Sequence, residues 1–302
     1  MFDSKTEVLT SNGWKRADEI EGGTIGGEVA TLNLQTGNVE FVPKGKVKVK
    51  EVNDKKVEFE GQNCNGAFTG NHTCLIVRRD SLEWKYALNL KEGMSVPICW
   101  TWDKEDLEIE DGVLRLLVWI AADGTLENTD LIRFHLKKDR KIKRLVALLK
   151  SLQIDYSLNK QSDGTVKINF NTPEFLSGYR VKSLDEKLIQ TSKRQADLIV
   201  DEYLQTDGNM TSKNSFQITT SRKEEADVLQ SIFILHGHSC NILARKKNNN
   251  QEYVISAGNK KSCKLSRVKI KSSKRGEQFY SIETDNNTLF VRRNGLVHIT
   301  GV

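Results

Sequence analysis

The chain has 302 residues, 37% of them hydrophobic, and a formal net charge of +6. This length allows one large domain or two ordinary ones, with enough apolar residues for real cores. The longest apolar run, Val113 to Ala122, contains Arg115 and is far shorter than the roughly 20 residues of a membrane-spanning helix. Charges at Asp3, Lys5 and Glu7 argue against a signal peptide. We therefore expect a soluble cytoplasmic protein with no membrane insertion.

The cysteine pattern excludes two further classes of protein. The five cysteines are odd in number, and none belongs to a C-x-x-C pair. Neither a disulfide framework nor a structural zinc site is indicated, and a reducing compartment fits.

In chain order, the pattern of apolar and polar residues changes twice. The first hundred residues consist of short alternating runs, such as residues 46–50 and 74–77, separated by Gly, Asn and Asp. About the last thirty-five residues return to this pattern, which is typical of β-strands. From about Asp111 to Gly237 the apolar residues follow helical spacing. The predicted fold class is α+β, with a β domain split in sequence around an α+β insertion.

Basic residues are concentrated in two blocks. Residues 131–150 contain eight Lys or Arg and one acid, Asp139. Residues 241–275 contain eleven Lys or Arg and one acid, Glu252. Clustered Lys and Arg contact phosphates, so the blocks predict a surface that binds a polyanion. A solvated lysine-rich face would produce the same pattern, and charge alone does not separate the two interpretations.

The insertion contains an internal repeat. Asp123-Gly124 closes one apolar helical run, and Asp207-Gly208 closes another 84 residues later. Each copy is predicted to contain a helix ending in Asp-Gly, then a strand, then a second helix. The same offset aligns apolar residues with apolar residues in five further pairs: Ile132 with Phe216, Phe134 with Ile218, Leu145 with Leu229, Leu148 with Ile232, and Leu149 with Phe233.

The two Asp-Gly pairs are the candidate catalytic feature. A single Asp-Gly after an apolar helix is usually a helix stop, but two copies at a repeat distance favour a shared role. Small residues at Ala121 and Ala122 allow two helices to approach closely, which would bring Asp123 and Asp207 together. Carboxylates are ligands that Mg²⁺ prefers, and such a pair can hold metal ions that activate water and stabilise the leaving oxygen of a phosphodiester.

These segments resemble a known signature. Residues 116–124 read LLVWIAADG and are similar to the LAGLIDADG motif of homing endonucleases. Residues 200–208 read VDEYLQTDG, a more degenerate copy that departs from the pattern at Gln205 and Thr206. The resemblance implies an αββαββα-repeat endonuclease domain with pseudo-two-fold symmetry over residues 104–265, with repeats at about 112–190 and 194–265.

The resemblance also implies an activity. An enzyme of this family acts as a monomer when both repeats lie in one chain, and it cuts both strands of a long asymmetric site in double-stranded DNA. Mg²⁺ is the expected cofactor, with Mn²⁺ or Ca²⁺ as substitutes. The implied metal ligands are Asp123, Asp207, Gly124 and Gly208.

In this family an antiparallel sheet lies over the DNA, and strand side chains enter the major groove. Arg133 and Gln217 each lie ten residues after an acid, and they suit guanine and adenine respectively. A position beside the scissile phosphate is the alternative for both. Lys167 and Lys261 are candidates for the basic residue that the family places near the metal, although an exposed surface position fits them equally. The other DNA-binding candidates are Lys137, Lys138, Arg245, Lys246 and Lys247.

The flanking β segments, residues 1–103 and 266–302, resemble the all-β, horseshoe-like Hint domain of inteins. Thr6 to Thr10, followed by Gly13-Trp14, is similar to the N-terminal splicing block. Residues 69–72 match the T-x-x-H block, in which Thr69 and His72 would polarise and protonate the scissile peptide. Residues 280–290 and 291–295 resemble the two C-terminal blocks.

The departures from the intein pattern predict that splicing is disabled. Inteins begin with Cys or Ser, which attacks the preceding carbonyl, and end with Asn, which cyclises and often follows a histidine. Here Met1, Gly301 and Val302 stand in those places. A thioether cannot make the acyl shift, and valine has no amide. We therefore expect Met1, Thr69, His72, Gly301 and Val302 to be a vestigial splicing site in a protein of a prokaryotic or phage host.

The favoured interpretation is an intein-encoded homing endonuclease, and two alternatives remain. One is a DNA- or RNA-binding protein with the LAGLIDADG fold and no cleavage, as in maturases; retention of both acids argues against it. The other is an autoprocessing Hint protein whose insertion is passive. Restoring Cys at position 1 and Asn at position 302 in a foreign host protein would show whether splicing returns.

Overall fold

The structure, a computed structural model, describes residues 1–21, 27–52, 55–79, 81–128, 130–179, 182–247 and 249–302. The chain forms two compact units. The first unit comprises Met1–Asp103, Gln230–Leu243 and Ser256–Val302, and the second unit comprises Lys104–Leu229 and Ala244–Ile255. Residues 230–243 and 256–265, which the sequence analysis assigned to the insertion, thus belong to the first unit. Long-range pairing explains this, because Ile234 accepts from the Trp100 amide at 2.9 Å and Asn241 pairs with Leu296.

The N-terminal part of the first unit is built from short strands. It also contains helix α1 (Ala17–Glu21) and a 3-10 helix at Ala87–Asn89. The strands are β1 (Phe2–Asp3), β2 (Glu7–Thr10), β3 (Gly13–Arg16), β4 (Glu28–Leu32), β5 (Val39–Pro43), β6 (Val47–Glu51), β7 (Lys55–Gly61), β8 (Asn65–Thr69), β9 (Thr73–Arg78), β10 (Ser81–Tyr86) and β11 (Ser95–Pro97).

The inserted segment is helical and β-stranded. Its helices are α2 (Asp111–Asp123), α3 (Asp139–Ser151), α4 (Lys193–Gln205) and α5 (Lys223–Leu235), with 3-10 helices at Glu174–Leu176 and Glu186–Gln190. Its strands are β12 (Gly124–Asn128), β13 (Leu131–Leu136), β14 (Ser157–Lys160), β15 (Val166–Asn171), β16 (Gly208–Ser212), β17 (Ser215–Thr220), β18 (Ser239–Lys247) and β19 (Asn250–Gly258).

Four strands end the chain, and they complete the sheets of the first unit. They are β20 (Ser262–Ser272), β21 (Gln278–Ile282), β22 (Thr288–Arg293) and β23 (Leu296–Gly301). One sheet has the order β10-β9-β11-β20-β7-β8-β1-β21-β6, and in another β23, β22, β2, β4 and β5 are neighbours, with β3 on β2. The core holds Phe2, Phe59 and Phe68, each at most 1% exposed. The edge strand β6 alternates Val with Lys, and such lysines discourage pairing with another chain.

The two repeats of the second unit have matching elements. An offset of 84 residues relates both bounds of β12 and β16, of β13 and β17, and of α3 and α5. The register agrees too, since Gly124 pairs with Phe134 in the first repeat and Gly208 with Ile218 in the second. All ten residues of the five aligned apolar pairs are buried. The internal repeat predicted from the sequence is thus present as a duplicated structure.

The protein is therefore a mixed α and β fold, and its first unit includes short helical segments as well as strands. All five cysteines are buried and free. Within the described part of the chain, no helix combines the length and apolar character needed to cross a membrane.

Candidate functional site

The signature helices α2 and α4 each end close to an acid that a glycine follows. Helix α2 runs to Asp123, whereas α4 ends at Gln205 and Thr206 separates it from Asp207. The Gly124 amide donates to the Ile120 carbonyl while its backbone becomes extended, at φ −78° and ψ 151°. A Cβ added at Gly124 would lie 2.6 Å from the Ile120 oxygen, and one at Gly208 would lie 2.8 Å from the Tyr203 oxygen. Glycine is thus required by the close approach of the backbone at both helix ends.

The helices α2 and α4 pack against each other. Leu116, Leu117 and Ala121 of α2 are buried. One polar contact crosses the pair: the Trp119 indole Nε1 donates to Glu202 Oε2 at 2.9 Å, and both side chains are buried. The packing explains why the duplicated helix ends lie near one another.

Asp123 and Asp207 share one lysine. Lys141 Nζ lies 2.7 Å from Asp123 Oδ2 and 3.6 Å from Asp207 Oδ1. Its side chain, on the first turn of α3, is only 11% exposed. A single ammonium therefore reaches one carboxylate from each repeat. The structure brings together the two acids that the sequence paired and adds a cation that the sequence analysis did not single out.

The proximity of the two acids alters the acidity of Asp207. The pKa of Asp207 is raised to about 6, mainly by burial and also by the negative charges of Asp123 and Glu225, against the opposing effect of Lys141. A further cation would stabilise the ionised form of a carboxyl in this environment, because its charge offsets both the cost of burial and the repulsion from the other carboxylates. The acid pair is thus a cation-binding arrangement on electrostatic grounds.

Arginines from the following helices cap the ends of the signature helices. Arg140 donates to the Gln205 carbonyl at 2.9 Å, at the end of α4. Arg222 donates to the Ala121 carbonyl near the end of α2, and its Nε donates to Glu225 Oε2 at 2.9 Å. Cations at helix C-termini complement the helix dipole. Each repeat thereby stabilises the signature helix of the other repeat.

The donor set fits Mg²⁺. Asp123 and Asp207 supply hard carboxylate oxygens, and Mg²⁺ is commonly held by one or two carboxylates while it keeps several water ligands. Over the described ranges, no cluster of three or more His, Cys, Asp and Glu side chains is arranged to hold a metal ion. A site built on the two acids would thus depend on water and DNA oxygens for its remaining ligands.

The first-repeat sheet, in the order β12-β13-β15-β14, has one apolar and one polar face. Ile132, Phe134 and Ile168 are buried, and the intervening residues have the opposite orientation because side chains alternate along a strand. The opposite face carries Arg133, whose Nε donates to Asn169 Oδ1 at 2.8 Å. Lys167 lies on β15 opposite His135, on that same face.

The second repeat presents Gln217 in the corresponding place. Gln217 lies on β17 between buried Phe216 and Ile218 and pairs in register with Asn209. In the first repeat, Arg133 pairs in the same way with Thr125. Both predicted base-reading residues therefore occupy equivalent strand positions.

The other predicted basic residues are exposed, with one exception. Lys137, Lys138, Arg245, Lys246 and Lys247 are exposed. Lys137 forms an ion pair with Asp163 at 3.3 Å, and Arg245 forms one with Glu252 at 3.2 Å. Lys261 belongs to the first unit, where its ammonium donates to the Gly237 carbonyl. This contact assigns Lys261 a structural role at the turn after α5.

The first unit holds a second cluster, around Thr69 and His72. The Thr69 amide donates to the Met1 carbonyl at 2.9 Å, and the Met1 nitrogen lies 2.9 Å from His72 Nδ1. On its other side, His72 Nε2 lies 2.9 Å from Thr300 Oγ1. Burial lowers the pKa of His72 well below its ordinary value. Met1, Thr69 and His72 are therefore in mutual contact.

At the C-terminal side of this cluster, Thr300 contacts His72, and His298 lies two residues before Thr300 on β23. His298 is buried against the Phe68 ring, and burial lowers its pKa to about 3. Gly301 is packed so tightly that a Cβ would lie 2.5 Å from the Thr73 carbonyl oxygen. Val302 lines a cavity of about 660 Å³. Strand residues two apart share a face, so the spacing of His298 and Thr300 predicts that both side chains lie on the same face of β23. The sequence could therefore have identified the two residues as a pair.

Comparison with known proteins gives only distant likenesses. No family model matches the chain, and no curated protein matches it. Among solved structures, it is similar to the N-terminal LAGLIDADG domain of DUF199/WhiA, at 17% identity over 48% of this chain and 74% of that one, with a TM-score of 0.37. It is also similar to mesophilic variants of the homing endonuclease I-DmoI, at 14% identity over 49% and 89% of the two chains, with a TM-score of 0.37.

An intein from a hyperthermophile is similar as well, at 16% identity over 32% of this chain and 71% of that one, with a TM-score of 0.30. The likenesses thus include LAGLIDADG domains and inteins, the two families that the motifs resemble.

Proposed function

We propose that this chain is a site-specific DNA endonuclease that hydrolyses both strands of a long asymmetric target with Mg²⁺. In this proposal it belongs to the LAGLIDADG type and is carried by a Hint-type domain that no longer splices. One observation carries the proposal: two duplicated helix ends deliver Asp123 and Asp207 to a single ammonium. Two carboxylates at the junction of two repeats are what a metal-dependent phosphodiesterase requires.

The chain's own residues would divide the work. Asp123 and Asp207 would hold the metal, whose chemistry is to acidify bound water and to stabilise the departing oxygen. Gly124 and Gly208 let the backbone turn away directly after each acid. Arg140 and Arg222 hold the helix ends in place through backbone carbonyls, which keeps the two acids at a fixed separation.

The polar face of the first-repeat sheet supports a DNA-binding role. Arg133 suits guanine and Gln217 suits adenine in the major groove, and the two occupy matched strand positions. Because the residues differ, the two half-sites would differ in sequence, and one chain with both repeats would act as a monomer. The exposed cations would contact phosphates: Lys137, Lys138, Arg245, Lys246, Lys247 and, on the same sheet face as Arg133, Lys167.

The first unit would be inactive in splicing because it lacks the reacting groups. Met1 has a thioether where a hydroxyl or thiol is needed, although Thr69 and His72 are in place around it. None of the residues from His298 to Val302 has an amide side chain that could cyclise. The Hint-type domain would then serve as a scaffold for the inserted repeats.

The alternative of binding without cleavage is favoured by one observation. Lys141 already offsets one negative charge of the acid pair, and a protein that uses the fold only to bind DNA would have no need of free carboxylates. This alternative predicts tight binding with no nicking in Mg²⁺ or Mn²⁺.

Selection of cleaved sites from a randomised DNA pool tests the proposal. We expect one class of long, non-palindromic sequences to be recovered with Mg²⁺ and none with EDTA. The Asp123→Asn variant, run in parallel, should recover no cleaved DNA and should retain the recovered site in a gel-shift assay. Retention of DNA by the unaltered protein without any cleavage would establish the binding alternative instead.

A further inference from the structure

The cation at the acid pair comes from only one repeat. Lys141 is on the first turn of α3, and its counterpart 84 residues later, on α5, is Glu225. Glu225 is 1% exposed and accepts hydrogen bonds from Tyr203 Oη at 2.5 Å and Thr220 Oγ1 at 2.7 Å. Position 225 therefore adds a negative charge near the second acid, while position 141 supplies the ammonium that serves both acids.

The ammonium of Lys141 and a divalent ion would need the same oxygens. Lys141 Nζ is within ion-pair distance of Asp123 Oδ2 and Asp207 Oδ1, and its side chain is only 11% exposed. Two cations held by one pair of carboxylates repel each other strongly at a few ångströms in a partly buried site. Lysine carries its charge on a flexible four-carbon stem, so the ammonium can leave the acids while its helix stays in place.

We propose that Lys141 is a tethered counter-ion that competes with divalent metal for Asp123 and Asp207 and, once displaced, binds a DNA phosphate. The inference rests on the proposed function, because it assumes that the acid pair is the metal site. Without DNA, the ammonium of Lys141 occupies the carboxylate oxygens and metal binding is weak. With DNA, the phosphates offer Lys141 a new partner, so DNA and metal each strengthen the binding of the other.

The arrangement has a functional value for a nuclease. A site that gains metal only when DNA is present avoids holding an activated water in the free protein. In this account, Lys141 is a positioning residue that keeps the two acids together in the metal-free state. The exposed Lys143 on the same helix has no such role, which makes it a matched control.

The test is calorimetric titration of the full chain with Ca²⁺ in the absence of DNA. Lys141→Gln removes the competing ammonium, so we expect it to bind Ca²⁺ at least about tenfold more tightly than the unaltered protein. Lys143→Gln removes the same charge from the same helix and should bind like the unaltered protein. A Lys141→Met variant repeats the measurement if the glutamine variant fails to fold, as judged by circular dichroism.

A second titration measures the coupling to DNA. Ca²⁺ binding to the unaltered protein should tighten when the selected DNA site is present, and this gain should shrink in Lys141→Gln. Equal Ca²⁺ affinity of Lys141→Gln and the unaltered protein would overturn the counter-ion role and leave the nuclease proposal intact. Absence of Ca²⁺ binding in every variant, with or without DNA, would overturn both proposals, whereas DNA cleavage assays test the nuclease proposal alone.

Discussion

The two repeats of the second unit share their backbone elements and differ in their buried charges. The 84-residue offset reproduces the bounds of β12 and β16 and of α3 and α5. In contrast, buried Val118 of the first repeat corresponds to buried Glu202 of the second, and Lys141 corresponds to Glu225. The strands and the second helix are thus common to both repeats, while the electrostatic environment is not.

This difference shows what the duplicated fold requires. The positions of Asp123 and Asp207 depend on helix ends and on the glycines after them, which both repeats retain. The surrounding charges are free to differ as long as each buried charge finds a partner. One repeat therefore provides the cation for both acids, and the other provides a buried carboxylate network.

Removing either acid should have the largest effect on DNA cleavage. The loss should be similar for the two acids, which would show that both repeats contribute to catalysis. Because each carboxylate would hold metal at a shared centre, we expect Asp123→Asn and Asp207→Asn each to reduce cleavage by about 10³-fold or more while preserving DNA affinity. Plasmid linearisation gives the rate, and a gel-shift assay gives the affinity. Asp139→Asn, an exposed acid on α3, is the control. If one acid variant kept near-normal cleavage, only one repeat would be catalytic.

Removing the buried negative charge of Glu202 in the second repeat should have the next largest effect, a loss of stability. Glu202 is 1% exposed and accepts from Arg144 Nη2 at 2.8 Å and from the Trp119 indole. Glu202→Gln removes the buried anion that accepts from both the buried Trp119 indole and the Arg144 guanidinium, so we expect a loss of about 2–4 kcal/mol in unfolding free energy. Urea denaturation monitored by tryptophan fluorescence measures it.

Asp201 provides the matched control for Glu202. It contacts the same Arg144 guanidinium at 2.7 Å, but its side chain is 57% exposed. Asp201→Asn should therefore cost less than about 0.5 kcal/mol, since exposed ion pairs contribute little. Similar losses in the two variants would mean that the guanidinium, rather than the buried carboxylate, determines the stability of this contact.

The matched strand positions should show the asymmetry of the target. Arg133→Ala and Gln217→Ala are each expected to relax base preference at one position of the site, in opposite half-sites, by about 1–3 kcal/mol. Cleavage of a library with single-base changes in the selected site measures this preference. A uniform loss of affinity across all sequences would instead place these side chains on phosphates.

The repeat and its acids were accessible from sequence because both follow from local patterns. Helical spacing predicted α2 to α5, and Asp-Gly marked the helix ends. Lys141 was not predicted, because nothing local distinguishes it from Arg140 and Lys143 in the same basic block. Its role arises only when α3 packs near the ends of both α2 and α4.

Two features of the first unit depend on pairing between residues that are distant in sequence. Residues 230–243 and 256–265 continue the apparent texture of the insertion but join the first unit through contacts distant in sequence, such as Asn241 with Leu296. Thr300 contacts His72 although the two residues are 228 positions apart in sequence, and no local pattern predicts this contact.

The smallest predicted effect concerns the stability cost of Asp207. Its pKa is raised from the ordinary value of 3.8 to about 6, so the folded protein binds a proton more readily than the unfolded chain. Stability should therefore fall as pH rises from about 4 to 6, and the penalty persists above pH 6. Because the side chain is 38% exposed, we discount the full shift for solvent screening and expect Asp207→Asn to be more stable by about 1 kcal/mol at pH 8.

This gain should vanish near pH 4, where Asp207 is protonated in the folded protein. Thermal unfolding of Asp207→Asn and the unaltered protein at pH 4 and pH 8 gives the comparison, and Asp201→Asn serves again as a control, since Asp201 is an exposed acid on the preceding helix α4. A less stable Asp207→Asn at pH 8 would mean that the ion pair with Lys141 outweighs burial and the repulsion from Asp123. In that case the acid pair would stabilise the fold, and the difference in charge between the repeats would be explained by stability instead of function.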